Sequence, residues 1–176
     1  TKKVAFIRKE LEIRTIFNFL GPLTNPVNLR GQVIGVSNPS YCRIITETLK
    51  NIGRKSALVV SALDPILDEI SVCGITKVCE LEDDIITEYE IKPEDYGLKR
   101  VNIDALKGTD PYYNAEIIRK IFRNEITDAR KDIVVLNTAA LLYVAGKSEG
   151  LMQGIEIAAK ALKNGYAIEK LTALSL

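Results

Sequence analysis

Histidine and tryptophan are absent from the 176-residue sequence, and methionine occurs once. Without an imidazole the chain can build no His-ligated metal centre, no Ser-His-Asp triad and no histidine base from its own residues. Cysteine is scarce. Cys42, Cys73 and Cys79 are odd in number and lack metal-ligand spacing, a usage that fits a reducing, cytoplasmic setting rather than a disulfide scaffold. No sign of charge dominates: 24 basic and 23 acidic residues leave a net +1, so no global field draws nucleic acid or anionic lipid, and neither partner is expected. The longest nearly apolar run, Ile133 to Gly146, is interrupted by Asn137 and Thr138 and falls short of the roughly 20 residues a membrane span needs. It reads as a buried helix, and no membrane partner is expected. No secretory signal pattern opens the sequence, which begins Thr1-Lys2-Lys3 rather than with methionine. With 47% apolar and 27% charged residues, the remainder has the composition of an ordinary globular domain.

The pattern divides near residue 28. Val4 to Leu20 has helical periodicity, with Ile7, Leu11 and Arg14 on one face and Ile13, Phe17 and Leu20 on another. Gly21-Pro22-Leu23-Thr24-Asn25-Pro26 then breaks the helix and marks the most distinct boundary. Beyond it, Gln32 to Val36 is a short strand, and Asn38 and Pro39 supply an N-cap and first helical residue. The following helix has Tyr41, Ile45, Leu49 and Ile52 on its inner face and Gly53 at its end, and Ser56 to Val60 is a second strand. Strand, helix and strand at this spacing form a βαβ unit, which argues for a parallel sheet covered on both faces. Val78 to Leu81 and Ile85 to Ile91 read as a hairpin on the sheet margin. Residues 80 to 95 hold eight acids against Lys92, the mark of a solvated, protected edge rather than a cation site. The last third is helical. Asp110-Pro111 opens one helix and Asp128 caps the next, which runs to Val144 and is apolar on nearly every side and therefore central. A third helix carries Leu151 to Leu162, and Ile168, Leu171 and Leu174 form a short terminal one. Gly146, Gly150 and Gly154 read as a close-packing seam, since no strand leads into them as a phosphate loop requires.

Three features can carry chemistry, each with a plain structural alternative. Arg14 sits among apolar residues near a helix end, where a guanidinium fork suits a carboxylate but equally serves as a surface or capping group. The Leu20 to Pro26 loop is a rigid interdomain turn, and ligand sites favour such junctions. Asp68 and Glu69 are adjacent carboxylates. On a strand they would diverge; in a turn beyond a strand end both could reach one hard cation, with water and substrate phosphate completing its shell. An ordinary acidic turn is the alternative.

Arg14-Thr15-Ile16-Phe17-Asn18-Phe19-Leu20-Gly21-Pro22-Leu23-Thr24-Asn25-Pro26 resembles the signature segment of the anthranilate phosphoribosyltransferase family. The likeness continues through Gln32 to Val36, Leu67-Asp68-Glu69-Ile70-Ser71, Pro93 to Leu98, Asp132 to Ala140 and Leu142 to Gly146. It covers essentially the whole chain. The glycine-rich phosphate motif and the lysine-histidine-glycine-asparagine segment of that family lie upstream of the signature and do not occur in these residues. The resemblance therefore implies a C-terminal portion: 1–28 as the last helices of a small all-helical domain plus hinge, and 29–176 as part of an α/β domain with a mostly parallel sheet flanked by helices. It further implies transfer of phosphoribosyl from 5-phosphoribosyl 1-diphosphate to the amine of anthranilate in tryptophan biosynthesis. Mg²⁺ would be held by Asp68 and Glu69, the acceptor carboxylate would be met by Arg14, and the full-length enzyme would be a homodimer. Two other readings stay open, a pyrimidine nucleoside phosphorylase and a non-catalytic nucleic-acid-binding relative. The Arg14 block and the Asp68-Glu69 segment favour the first reading, and the +1 charge disfavours the last.

Overall fold

The computed structural model describes residues 17–27 and 29–174, with side chains from residue 20 onward. Most of the periodic segment expected as a helix before Leu20, Arg14 included, lies outside the described residues. The first described helix, α1 (Phe17–Leu23), does not stop at Gly21 as expected. It carries Pro22 inside it and ends one turn later, where Thr24 donates from both its amide and its hydroxyl to the Leu20 carbonyl.

Strand β1 (Gln32–Gly35) leads into α2 (Tyr41–Asn51) and then β2 (Ser56–Leu63), which runs three residues further than its apolar core suggests. The cap of α2 is Ser40 rather than Asn38. Asn38 instead accepts hydrogen bonds from the Ser40 amide and hydroxyl, so its Asx turn sits two residues upstream of the cap and shapes the entry. At the other end the Gly53 amide bonds Lys50 O and the Arg54 amide bonds Leu49 O, the paired closure that stops a helix. That closure swings Ile52 out of the inner face, and it is 49% exposed rather than buried. Cys42, Ile45, Thr46 and Leu49 form the buried face.

β1 and β2 pair in parallel, as the βαβ pattern requires. The rest of the sheet departs from the mostly parallel expectation. After β2 the chain reverses through β3 (Ile66–Leu67), which pairs antiparallel with it. β4 (Thr76–Glu82) then pairs antiparallel along the whole of β2, and β5 (Ile85–Ile91) pairs antiparallel with β4. The sheet is thus mixed, in the order β1-β2-β4-β5, with one parallel pair among the described residues. The physical reason is connection length: a parallel crossover needs a dozen or more residues and usually a helix, whereas the chain turns back after β2 over Asp64 and Pro65 alone, so β3 and β4 both run opposite to β2. The β4–β5 hairpin turns on Asp83 and Asp84, both at positive φ as a two-residue loop of this hand demands. Two of its acids have ion-pair partners: Glu88 pairs with Arg43 and Lys77, and Asp84 with Lys55.

Both sheet faces are covered. Ala57, Val59, Cys79 and Leu81 pack with Ile45 and Leu49 of α2. Leu58, Val60 and Val78 pack with Ile133, Leu136, Ala140 and Val144 of α4 (Ala129–Val144). Two 3₁₀ turns, Pro93–Tyr96 and Ile103–Leu106, and α3 (Pro111–Phe122) precede α4; α5 (Leu151–Lys163) and α6 (Tyr166–Leu174) follow it. Asp110 accepts from the Tyr112 and Tyr113 amides and Asp128 from the Arg130 amide, so both expected caps form. α4 is central because it has apolar partners on opposite sides, the sheet and α5. The expected glycine seam reduces to Gly154, where a Cβ would press on the Ala139 backbone of α4; Gly150 has open space instead.

All three cysteines are buried. Burial raises the Cys42 thiol and lifts Cys79 to about 12. Tyr89 and Tyr143, both bonded to Glu80, are raised as well, the first chiefly by burial and the second chiefly by that bond. These groups keep their protons in the folded chain while the unfolded chain loses them, so the folded state binds more protons above the ordinary thiol range. Stability is therefore full below about pH 9 and falls as pH climbs from there toward the folded values. Denaturant midpoints measured from pH 7 to 11 should stay level and then decline, and Cys42 and Cys79 should resist a disulfide reagent at pH 8 until denaturant is added. Rapid labelling of both in the native chain would contradict this burial.

Candidate functional site

Asp68 and Glu69 fall in a bend just after β3. The bend is positioned from three sides. On the first, Gly35 closes β1 at the carboxyl end of the parallel pair, and a Cβ built there would collide with the Asp68 carbonyl. Glycine is needed because the two backbones touch. The carboxylate pair thus lies outside the carboxyl end of a parallel strand, where open α/β sheets hold ligands. Gly35→Ala must push this bend away and should cost about 1–3 kcal/mol, read as a lower denaturant midpoint. An unchanged midpoint would show that the bend adapts freely.

On the second side, Asn137 of α4 reaches the residue after the pair: its Oδ1 accepts from the Ile70 amide at 3.0 Å and its Nδ2 donates to the Ile70 carbonyl at 2.8 Å. On the third, the Ser71 amide donates to Thr76 Oγ1 and the Cys73 amide to Ser71 Oγ, both buried. Ile70 and Val72 are buried in the core beneath. The pair therefore rides on a loop whose far side is fully packed, which leaves Asp68 and Glu69 themselves exposed.

Glu69 also lines a cleft of about 260 Å³ with Leu106, Ile117, Ile121, Arg130 and Ile133 among its walls. Although Glu69 is exposed as a residue, desolvation of its carboxyl against the cleft wall raises it above the ordinary range, and the charge of Asp68 adds to the rise. A divalent cation would relieve both causes, and carboxylate oxygens are the hard donors that Mg²⁺ takes. No cluster of three His, Cys, Asp or Glu residues suited to a metal occurs among the described residues. The donor set thus fits an ion that shares its shell with water and substrate oxygens, not a closed protein cage. Arg130 on the cleft wall is held by Asp128, its Nε 3.1 and 3.2 Å from the two carboxylate oxygens.

Of the residues singled out from sequence, Asp68 and Glu69 fall in the bend after β3, and Arg14 lies outside the described residues. The Gly21 to Pro26 segment is tied to β1 through Gln32, whose Nε2 donates to the Pro22 carbonyl at 2.6 Å. Asn137 was not singled out as a site residue. Its signal was a carboxamide interrupting the longest apolar run, a placement that demands a hydrogen-bond partner.

A doubly covered mixed sheet with a carboxylate-bearing loop at the carboxyl end of its parallel strands defines an α/β domain of the kind that holds ligands at strand ends. Residues 1–168 match the glycosyl transferase family, a/b domain, and the chain belongs to that family. Anthranilate phosphoribosyltransferase of Methanobrevibacter smithii is 48% identical over 170 residues, 97% of this chain and 50% of that relative. The crystal structure of anthranilate phosphoribosyltransferase from Thermus thermophilus superposes with a TM-score of 0.90 at 35% identity, over 98% of this chain and 50% of that one. A magnesium-bound variant of the Saccharomyces cerevisiae enzyme gives a TM-score of 0.86 at 25% identity, over 96% and 49%. The chain spans about half the length of the curated relatives it matches. No helix among the described residues is long and apolar enough to cross a membrane.

Proposed function

We propose that this chain forms the acceptor- and metal-binding part of an anthranilate phosphoribosyltransferase, which moves the phosphoribosyl group of 5-phosphoribosyl 1-diphosphate onto the anthranilate amine and releases diphosphate. The observation that carries the reading is the Asp68-Glu69 pair on a braced loop at the carboxyl end of β1, within a chain bearing the Arg14 to Pro26 block. The names of the relatives support the same reading.

Asp68 and Glu69 would hold Mg²⁺. Held there, Mg²⁺ would supply charge neutralisation for the departing diphosphate. Arg14 pairs its guanidinium fork with the acceptor carboxylate and so aims the amine at C1 of the ribose. Bond breaking at C1 precedes full attack, as in other glycosyl transfers with oxocarbenium character, so the chief protein tasks are positioning and charge. The acceptor amine is an aniline, neutral near pH 7, and its lone pair is available without a strong base. A chain without histidine is suited to that chemistry. The Gly21 to Pro26 segment, held to β1 by Gln32, would join the two domains and shape the acceptor channel.

The residues contain no glycine-rich loop to cradle donor phosphates with backbone amides. The 176-residue chain assayed alone with Mg²⁺, donor and anthranilate should therefore leave anthranilate fluorescence unchanged. The enzyme in which this chain follows such a segment should extinguish it. If that longer enzyme leaves anthranilate untouched, the proposed function is wrong; turnover by the chain alone would place the donor site within these residues.

A further inference from the structure

The Asn137 carboxamide is the sole described side chain of α4 hydrogen-bonded to the loop that carries the carboxylates, and it makes both bonds that one backbone residue can offer. Oδ1 takes the Ile70 amide and Nδ2 gives to the Ile70 carbonyl, while Nδ2 also bonds Ile133 O of its own helix at 2.9 Å. The amide group is thereby locked in orientation, since each of its polar ends has a fitted partner. It spans 67 positions of sequence, linking the central helix to the residue directly after Glu69.

We infer that Asn137 is a positioning residue for the metal site: through the Ile70 peptide it sets the direction in which the Asp68 and Glu69 carboxylates leave the loop. The inference rests on the proposed role of those two carboxylates. Three facts support it beyond simple packing. The contact is to main chain on both sides of one peptide residue, so it fixes backbone torsion and not only distance. No described side chain hydrogen-bonds the carboxylates themselves, so the brace beneath must orient them. The loop also meets the β1 backbone at Gly35, so Asn137 is one of two fixed points on which its direction depends. Groups that orient metal-binding carboxylates from behind typically contribute about 10–100-fold to metal affinity.

The test uses backbone amide NMR of the ¹⁵N-labelled chain titrated with Mg²⁺. In the wild type, the amides of Asp68, Glu69 and Ile70 should shift and saturate. Asn137→Ala should keep a dispersed spectrum but raise the apparent Kd at these amides about tenfold or more. Thr138→Val is the matched control: its hydroxyl donates back to Val134 O within the same helix, so it perturbs α4 without touching the loop, and its Kd should equal the wild type's. Asn137→Ser, smaller in its disturbance, carries the same expectation should the alanine variant fail to fold. Wild-type affinity in a folded Asn137 variant overturns the positioning role. The Asp68→Ala, Glu69→Ala chain separates the two claims. If it still binds Mg²⁺ like the wild type, or if the wild type shows no saturable shift, the carboxylate assignment falls and the inference with it. If it loses binding while the Asn137 variants keep it, only the inference falls.

Discussion

Replacing Asp68 and Glu69 together by alanine in the longer enzyme should lower Mg²⁺-dependent phosphoribosyl transfer by about a hundredfold or more, with little change in thermal stability. The size follows from what the ion supplies. Charge stabilisation on a departing diphosphate amounts to several kcal/mol, and each step of about 1.36 kcal/mol is a factor of ten in rate. The stability expectation follows from location. Both residues are exposed in a bend whose inner side is held by Ile70, Asn137 and Ser71, none of which the substitution touches. Removing Glu69 even relieves the burial and the neighbouring charge that raise its carboxyl. Glu69→Gln, which keeps the shape and loses the charge, should fall between. Steady-state rates across a Mg²⁺ series, with melting curves alongside, decide the matter. Wild-type turnover with wild-type Mg²⁺ dependence in the double variant would remove the metal assignment.

Arg14→Lys should raise the Michaelis constant for anthranilate about tenfold and leave that for the phosphoribosyl donor nearly unchanged. Lysine keeps the positive charge but offers a point donor where arginine offers two parallel N–H groups matched to a carboxylate. A hydrogen bond to a charged group contributes about 1.5–3 kcal/mol, so loss of one arm of the fork predicts an effect of this order. Arg14→Ala should be worse, because the acceptor carboxylate then has no charged partner there. The separation of the two Michaelis constants is the informative readout, since a general loss of structure would raise both. An acceptor constant equal to wild type would end the role given to Arg14.

The elements that were legible in the sequence are those closed by local hydrogen bonds. Asp110 and Asp128 cap their helices within three residues, Gly53 stops α2 through bonds to Leu49 and Lys50, and Asp83-Asp84 turns a hairpin on itself. The periodicity of 129–144 was equally plain, because a helix apolar on all sides must be buried between two layers. The α2 entry lies two residues beyond the expected cap, since Asn38 and Ser40 can both cap and Asn38 is instead spent on an Asx turn that accepts from the Ser40 amide.

By itself, then, the sequence determined the order of the principal strands and helices from β1 onward, the exclusion of imidazole chemistry and the family resemblance in the Arg14 block, all of which depend on composition or on neighbours a few residues apart; β3 and the two 3₁₀ turns were not legible in it. The tertiary structure alone decided that β2 pairs antiparallel with β4, that Gly35 receives the Asp68 carbonyl, and that Asn137 grips Ile70. Strand direction, backbone collision and a carboxamide's choice of partner arise between residues far apart in the chain. Each is set by which surfaces meet when the apolar faces of sheet and helix close on one another, and no local pattern encodes that meeting.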